Sequence, residues 1–431
     1  MTANLVLLGG FVVMLLAGTP IAVALGVSGL LAIFVGLDWY AVANTATIAY
    51  SSIAKYPLIA IPLFILTGMI FERSGVAERL VRLAQAVVGP RRGGLALVAI
   101  LVCLIMGGMS GSGPADAAAV ATVMIPSMMK AGYPRAFSAS LIAASASTAI
   151  LIPPSIALIV YSIMVPGVDL RALFAAGIGP GLLAGLAVAL PAWWISHRNG
   201  FGASEDRARP PFWPSLKAAL PGLFAPVIIL GGLRSGLFTP TEAAAVAVAY
   251  GLFVGTVLHR SMGLGAIYRV LADSAAVSAV VMLIISLAGI FAWAGTTLGA
   301  FDAAAATILS LSDTSIVVLL MVMAVLLLAG MVLDGVSIYL ITLPLLTPIM
   351  VSFGWNPTWF GVLMAMNIAV GQFTPPVAVN LMVTARIAGV PIEATVRWVL
   401  WPILAMLIAM GLVIAIPEIA LWLPDALGYR I

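Results

Sequence analysis

Apolar runs of at least ~18 residues, the length a helix needs to cross a bilayer core, recur along this chain between short polar loops. The pattern predicts an all-α polytopic membrane protein, and 431 residues leave room for about ten to twelve such segments. Leu5 to Gly36 reads as a first crossing, and Pro57 to Phe71 returns to the basic segment Glu72 to Arg92. The middle of that segment, Val76 to Val88, is amphipathic and is expected along the membrane interface. Gly94 to Met109 and Pro114 to Met129 form a helical hairpin dipping to mid-membrane, and Ala136 to Pro166 crosses with a break near Ile152-Pro153. Leu170 to Ile195 then leads to the polar loop Ser196 to Pro214. Later spans are expected around Leu216 to Leu233, Thr239 to Leu258 and Ala275 to Leu298, followed by a stretch with Asp302 and Asp313 but no lysine or arginine. A second hairpin, Val317 to Leu333 and Val336 to Ser352, precedes a second broken crossing, Thr358 to Ala388, and a last span, Ile392 to Ile416.

The two hairpin-plus-break regions repeat each other. An offset of 222 residues, without a gap, pairs Gly108 with Gly330, Gly113 with Gly335, Pro126 with Pro348, Pro153-Pro154 with Pro375-Pro376 and Gly167-Val168 with Gly389-Val390. Thr19-Pro20 and Thr239-Pro240 recur at nearly the same spacing. Duplicated, Gly/Pro-interrupted hydrophobic segments point to a secondary transporter with its sites at the breaks. The expected organisation is a first inverted repeat, 1–195, with hairpin 94–130 and broken helix 136–166; a cytoplasmic linker, 196–214; and a second repeat, 215–431, with hairpin 315–352 and broken helix 358–388.

Composition narrows the class further. Hydrophobic residues make up 63% and charged residues 8% of the chain, too few charges to cover a soluble surface. Cys103 is the single cysteine, and His197 and His259 lie beside charged loops, so a cysteine/histidine metal site is not expected. The net charge of +4 sits in short loops and fits the positive-inside rule rather than nucleic-acid binding. Fifteen basic residues fall on one side and only Lys55, Arg171, Arg234 and Arg430 on the other, which predicts a cytoplasmic N-terminus, retained as a helix, and a periplasmic C-terminus.

The candidate chemistry lies at the hairpin tips. Bare backbone in a membrane costs several kcal/mol per unpaired group unless protein, water or an ion satisfies it. Carbonyl and hydroxyl oxygens at open backbone suit a hard cation such as Na+. A first site combines Ser110 and Ser112 of GGMSGSGPADAAA with Ser145, Ser147, Thr148 and Ile152 at the first break. Its counterpart combines Asp334 and Ser337 with Asn367, Gly371 and Thr374, the acid being read as the end of an intramembrane half-helix where it wants a cation. No arginine or lysine stands at either tip, so an anionic substrate is left to helix N-termini, amides and hydroxyls, around Gly111, Ser112, Gly113, Thr148, Pro154, Gly335, Asn367 and Pro376. Bland alternatives stand beside these roles. The serines also suit close helix packing, Asn367 and Asn380 suit interhelical hydrogen bonds, Asp116 suits a cap on the returning helix, and Thr239 to Glu242 has capping-box spacing.

The motifs GGMSGSGPADAAA, AGYPRAFSASLIAA, ILIPPSI, FTPTEAAA and NIAVGQFTPPVAVNL resemble the large membrane subunit of tripartite ATP-independent periplasmic (TRAP) transporters, within the ion-transporter superfamily. The resemblance covers nearly the whole chain. It implies a bacterial inner-membrane, sodium-driven elevator carrier for small substrates, usually organic acids. It further implies two partners, a small four-helix membrane subunit and a soluble periplasmic binding protein. The family's sodium-site regions map onto Ser110, Ser112, Ser147 and Ile152, and onto Asp334, Gly371 and Thr374. One departure is Thr148-Ala149, where the family has a glycine-containing turn. A stand-alone sodium/dicarboxylate symporter of the same superfamily is the nearest alternative. An intramembrane enzyme would need a nucleophile–base pair or metal ligands, and no HExxH or GxSxG motif is present. A channel would show pore rings built by oligomerisation rather than an inverted repeat.

Overall fold

The computed structural model describes residues 2–203 and 209–429 and contains helices and no strand among them. The chain opens with α1 (Thr2–Leu16) and α2 (Ile21–Gly36). The expected single crossing from Leu5 to Gly36 is therefore two helices, and they double back on each other. Gly18 turns the chain with φ +80°, the Thr19 hydroxyl closes on the Met14 carbonyl at 2.6 Å, and Pro20, which has no N–H to pair, leads into α2. A methyl added at Gly36 would fall 2.7 Å from Cβ of Ala3, so the start of α1 and the end of α2 share one side of the molecule. The periodicity of an unbroken apolar run carries no trace of this reversal; only the Gly-Thr-Pro triplet does.

Short helices α3 (Trp39–Ala43) and α4 (Thr45–Ile53) lead to α5 (Ala60–Arg73) and to α6 (Val76–Val88), whose bounds match the amphipathic segment. The apolar face of α6 is covered by protein: Val76, Leu80, Val81 and Ala84 are buried, and the helix packs against its neighbours α7 (Gly94–Ser110) and, further along the chain, α12 (Phe212–Arg234). With α8 (Gly113–Lys130), α7 makes the first hairpin. The first broken helix is α9 (Arg135–Ser147) and α10 (Ile156–Met164), and α11 (Leu170–Arg198) closes the first half.

Residues 204–208 of the expected linker lie outside the described residues, while both flanks are anchored. Phe201 packs among Tyr133, Phe137 and Trp398, and the Arg209 guanidinium donates to the Ala86 carbonyl at 2.6 Å.

The second half repeats the order. It runs α12 (Phe212–Arg234), α13 (Pro240–Phe253), α14 (Leu264–Thr297), α15 (Ala300–Leu309), a second hairpin of α16 (Ser315–Gly330) and α17 (Gly335–Ser352), a second broken helix of α18 (Pro357–Gly371) and α19 (Val379–Ala388), then α20 (Val396–Ala415) and α21 (Glu418–Ala426). Each Pro-Pro bond at a break is cis. The Thr239 hydroxyl accepts from the Glu242 amide while the Glu242 carboxylate accepts from the Thr239 amide at 2.7 Å, the capping box its spacing predicts. Helix α14 begins eleven residues before the expected Ala275, and an exposed ion pair, Asp273 to Arg73 at 2.8 Å, joins this extension to the end of α5.

Among the described residues seven helices are long and apolar enough to cross a membrane, fewer than the ten to twelve apolar runs suggest, because turns and breaks divide the remaining runs into shorter pieces. The two halves interlock rather than sit side by side. Helix α2 packs on α14 and α5 on α13, while α9 packs on α19 and α11 on α20. Helix α9 can be buried along almost its full length because its residues are small and its serines bond their own backbone, Ser145 to the Leu141 carbonyl at 2.7 Å and Ser147 to the Ala143 carbonyl at 2.8 Å.

Candidate functional site

Both hairpin tips open onto one cavity of about 180 Å³. Its walls carry Ser110, Gly111, Ser112 and Gly113 from the first tip, Asp334 and Gly335 from the second, and Gln372 from the second break, with Gly68, Ile150 and Ile156 around them. No lysine or arginine is among the lining residues.

The first tip is shaped by how close backbone must come to backbone. Gly111 ends α7 with φ +60°, and a methyl there would fall 2.2 Å from the Pro154 carbonyl oxygen, so the tip seats directly on the first proline pair. Gly107 meets Ala149 and Gly108 meets Ile152 in the same seam. Ser112 occupies the position before α8, yet its side chain makes no cap bond; its amide donates to the Ser110 hydroxyl at 3.1 Å. The first amides of α8 thus keep their partial positive charge for whatever enters the cavity.

The second tip is different. Asp334 stands at the start of the returning helix α17 rather than at the end of the entering half-helix, and its carboxylate accepts from the amides of Val336 at 3.0 Å and Ser337 at 3.2 Å and from the Ser337 hydroxyl. The acid is stabilised by the helix N-terminus, which corrects the placement expected from sequence. Asp334 is among the residues lining the cavity, and a carboxylate there suits a cation. Gly330 and Gly371 press together, a methyl on Gly371 falling 2.5 Å from the Gly330 carbonyl carbon, and the Thr374 hydroxyl closes on the Val370 carbonyl at 2.6 Å.

Several expected residues lie elsewhere. Asn367 turns its amide away from the cavity and donates to the Met323 carbonyl at 2.8 Å, tying α18 to α16 as an interhelical bond. Pro376 is exposed, whereas its repeat mate Pro154 is buried. Ser145, Ser147, Thr148 and Ile152 form the floor behind the first tip and do not line the cavity; the Thr148 hydroxyl bonds the Ser145 carbonyl at 2.7 Å. Each of these hydroxyls has spent its proton on a carbonyl and keeps lone pairs, a donor set that fits sodium. Asp116 is no cap: it is 1% exposed and buried beside Ser110, and its carboxylate takes no amide of α8.

Sequence reasoning missed Gln372. It lies inside the quoted motif NIAVGQFTPPVAVNL, 95% buried, and sits between the two tips: a methyl on Gly113 would fall 2.5 Å from Oε1, and one on Gly335 would fall 3.9 Å from Nε2. A polar amide one residue after a helix-ending glycine was the available signal. Asn380 links the repeats instead of merely joining neighbours, its Nδ2 donating to the Ser147 hydroxyl oxygen at 2.8 Å.

The family model described as tripartite ATP-independent periplasmic transporter, DctM component, matches residues 8–419. The C4-dicarboxylate TRAP transporter large permease protein DctM of Pseudomonas aeruginosa is 38% identical over 94% of this chain and 94% of its own length. The sialic acid TRAP transporter large permease protein SiaM of Vibrio cholerae is 34% identical over 97% and 98%. The isethionate TRAP transporter permease protein DctMQ of Oleidesulfovibrio alaskensis is 38% identical over 95% of this chain, which spans 64% of that relative. Among solved structures, the Alcanivorax borkumensis YdaH transporter has a TM-score of 0.61 over 89% of this chain and 91% of its own, at 17% identity, a likeness of fold alone. The relatives are named transporter permeases, and the expectation of a multi-pass membrane transporter rather than an enzyme holds.

Proposed function

The chain belongs to the DctM component family of tripartite ATP-independent periplasmic transporters, and from that premise we propose sodium-coupled uptake of a small organic acid, handed over by a periplasmic binding protein, across the bacterial inner membrane. The observation that carries the proposal is the meeting of two unlike helix N-termini at one cavity. At α8 the amides are uncapped and suit a carboxylate; at α17 the helix carries its own carboxylate and suits a cation. Ser110, Ser112 and Ser147 would hold sodium at the first tip, and Asp334 with backbone around Gly371 and Thr374 at the second. The ion supplies the positive charge that the lining residues lack. The hairpins and broken helices would move together as the transport body against α2, α5, α13 and α14, in an elevator step, with a small four-helix membrane subunit beside that scaffold.

Vesicles reconstituted with this subunit, the small subunit and the binding protein test the coupling. Uptake driven by an inward sodium gradient, with no internal ATP, is expected. Sodium-independent uptake, or uptake by this subunit alone, overturns the proposal. The basic residues that place Arg73 and Arg198 inside put both termini outside, because α1 and α2 double back. A periplasmically active reporter is expected at each terminus and a cytoplasmically active one within 199–211; the opposite pattern defeats this orientation.

A further inference from the structure

Gln372 stands where both tips converge, and the hydrogen bonds around it decide which end of its amide faces the cavity. The chain of constraints begins at a group that can only accept. The Ala143 carbonyl takes the Ser147 hydroxyl proton at 2.8 Å, so the Ser147 oxygen is left to accept, and it does so from Nδ2 of Asn380 at 2.8 Å. That fixes Asn380 with Oδ1 on its other side, buried and without a donor. Oε1 of Gln372 is likewise buried and without a donor. The Gln372 oxygen and the whole Asn380 amide gather at one point: a methyl on Gly113 would fall 2.5 Å from Gln372 Oε1, 2.9 Å from Asn380 Nδ2 and 3.2 Å from Asn380 Oδ1. The two residues are already tied by the Asn380 amide donating to the Gln372 carbonyl at 3.0 Å.

Two buried acceptors beside one another, neither with a donor, leave both unsatisfied. A half-turn of the Gln372 amide gives Asn380 Oδ1 a donor in Nε2 and moves Oε1 to the outward place beside Gly335, on the cavity wall, where a ligand can pair it. Amide nitrogen and oxygen have nearly the same shape, so the bonding network assigns them. We infer that Gln372 presents a hydrogen-bond acceptor to the substrate, and that the carrier selects acids bearing a hydroxyl beside the carboxylate over acids that lack one. The inference rests on the cavity being the substrate site. A bare carboxylate such as succinate offers acceptors only and leaves Oε1 buried and unpaired; a hydroxy acid supplies the missing O–H while its carboxylate meets the α8 amides. A site built to pair a buried polar group discriminates strongly against the analogue lacking its mate.

Two pairs of acids differing by one hydroxyl, malate against succinate and lactate against propionate, test this by competition binding to the reconstituted subunit in sodium. In at least one pair the hydroxy acid is expected to bind about tenfold or more tighter, and in Gln372→Leu, and in Gln372→Met of the same length, the pair should converge to within about threefold. No preference in the wild type, or a preference that survives in a folded variant, overturns the inference. So does an unchanged preference with a shifted sodium curve, which would make Gln372 a cation ligand. These outcomes are separate from the failure of the transporter reading, which shows as uptake by the three-component system without a sodium requirement.

Discussion

The two hairpin tips are copies at an offset of 222 residues, yet Ser112 stands in one where Asp334 stands in the other. Both residues precede the first turn of a returning helix. The serine leaves that turn uncapped, whereas the aspartate takes two amides and a hydroxyl for itself. One N-terminus therefore keeps free amides at the cavity, and the other carries a carboxylate on its amides. Duplication supplied two matching frames, and substitutions at the tips, Ser112 against Asp334 and Ala115 against Ser337 among them, gave them different caps. The contrast extends to space. Gly111 is clamped against the Pro154 carbonyl, while the tightest neighbour of Gly335 is a side-chain methyl, Cγ2 of Ile368, at 2.9 Å from an added methyl.

The space contrast predicts the largest effect. Gly111→Ala meets both a left-handed backbone and a carbonyl oxygen at 2.2 Å, so uptake should fall at least about a hundredfold or the protein fail to accumulate. Gly335→Ala meets a side-chain methyl rather than backbone and has no left-handed φ, so it should lose less, keeping at least about a tenth of wild-type uptake. Equal losses in the two variants, in uptake assays at matched protein amounts, would erase the distinction.

Exchanging the caps tests the charge contrast. Ser112→Asp places a carboxylate on the free amides of α8 and should weaken substrate binding about tenfold while sparing the sodium curve. Asp334→Ser should do the reverse, raising the sodium concentration for half-maximal uptake by about tenfold and changing substrate affinity less. If Asp334→Ser leaves the sodium titration at its wild-type position, the acid is a cap and nothing more.

The smallest effect is a control away from both tips. Glu242 completes the capping box of α13 and touches no part of the cavity. Glu242→Gln should lower the melting temperature or yield slightly and leave sodium and substrate titrations unchanged. A displaced sodium curve in that variant would move the site to α13.

Much of this was legible along the chain. Val76 to Val88, the two hairpins and the Thr239 box follow from periodicity, Gly/Pro punctuation and cap spacing, all of which act within a few residues. The reversal between α1 and α2 was hidden because both legs are apolar on every side, so no change of pattern marks the turn. Asp116 looked like a cap from its place in the first turn of α8 and is instead buried without taking an amide of that turn, since the chain packed around it covers it.

The sequence by itself determined the class of protein, the duplication, the glycine-marked tips at Gly111 and around Gly335, and the capping box of α13. These depend on composition, on φ angles only glycine takes readily, and on bonds between residues three or four apart. Tertiary structure decided which ends meet. Gly113 of the first repeat faces Gln372 and Asn380 of the second, and Asn380 reaches Ser147 across 233 positions of chain. No local rule couples residues so far apart. Their encounter follows from two inverted halves packing through each other, and it is this interlock that gathers unpaired oxygens and free amides around one cavity.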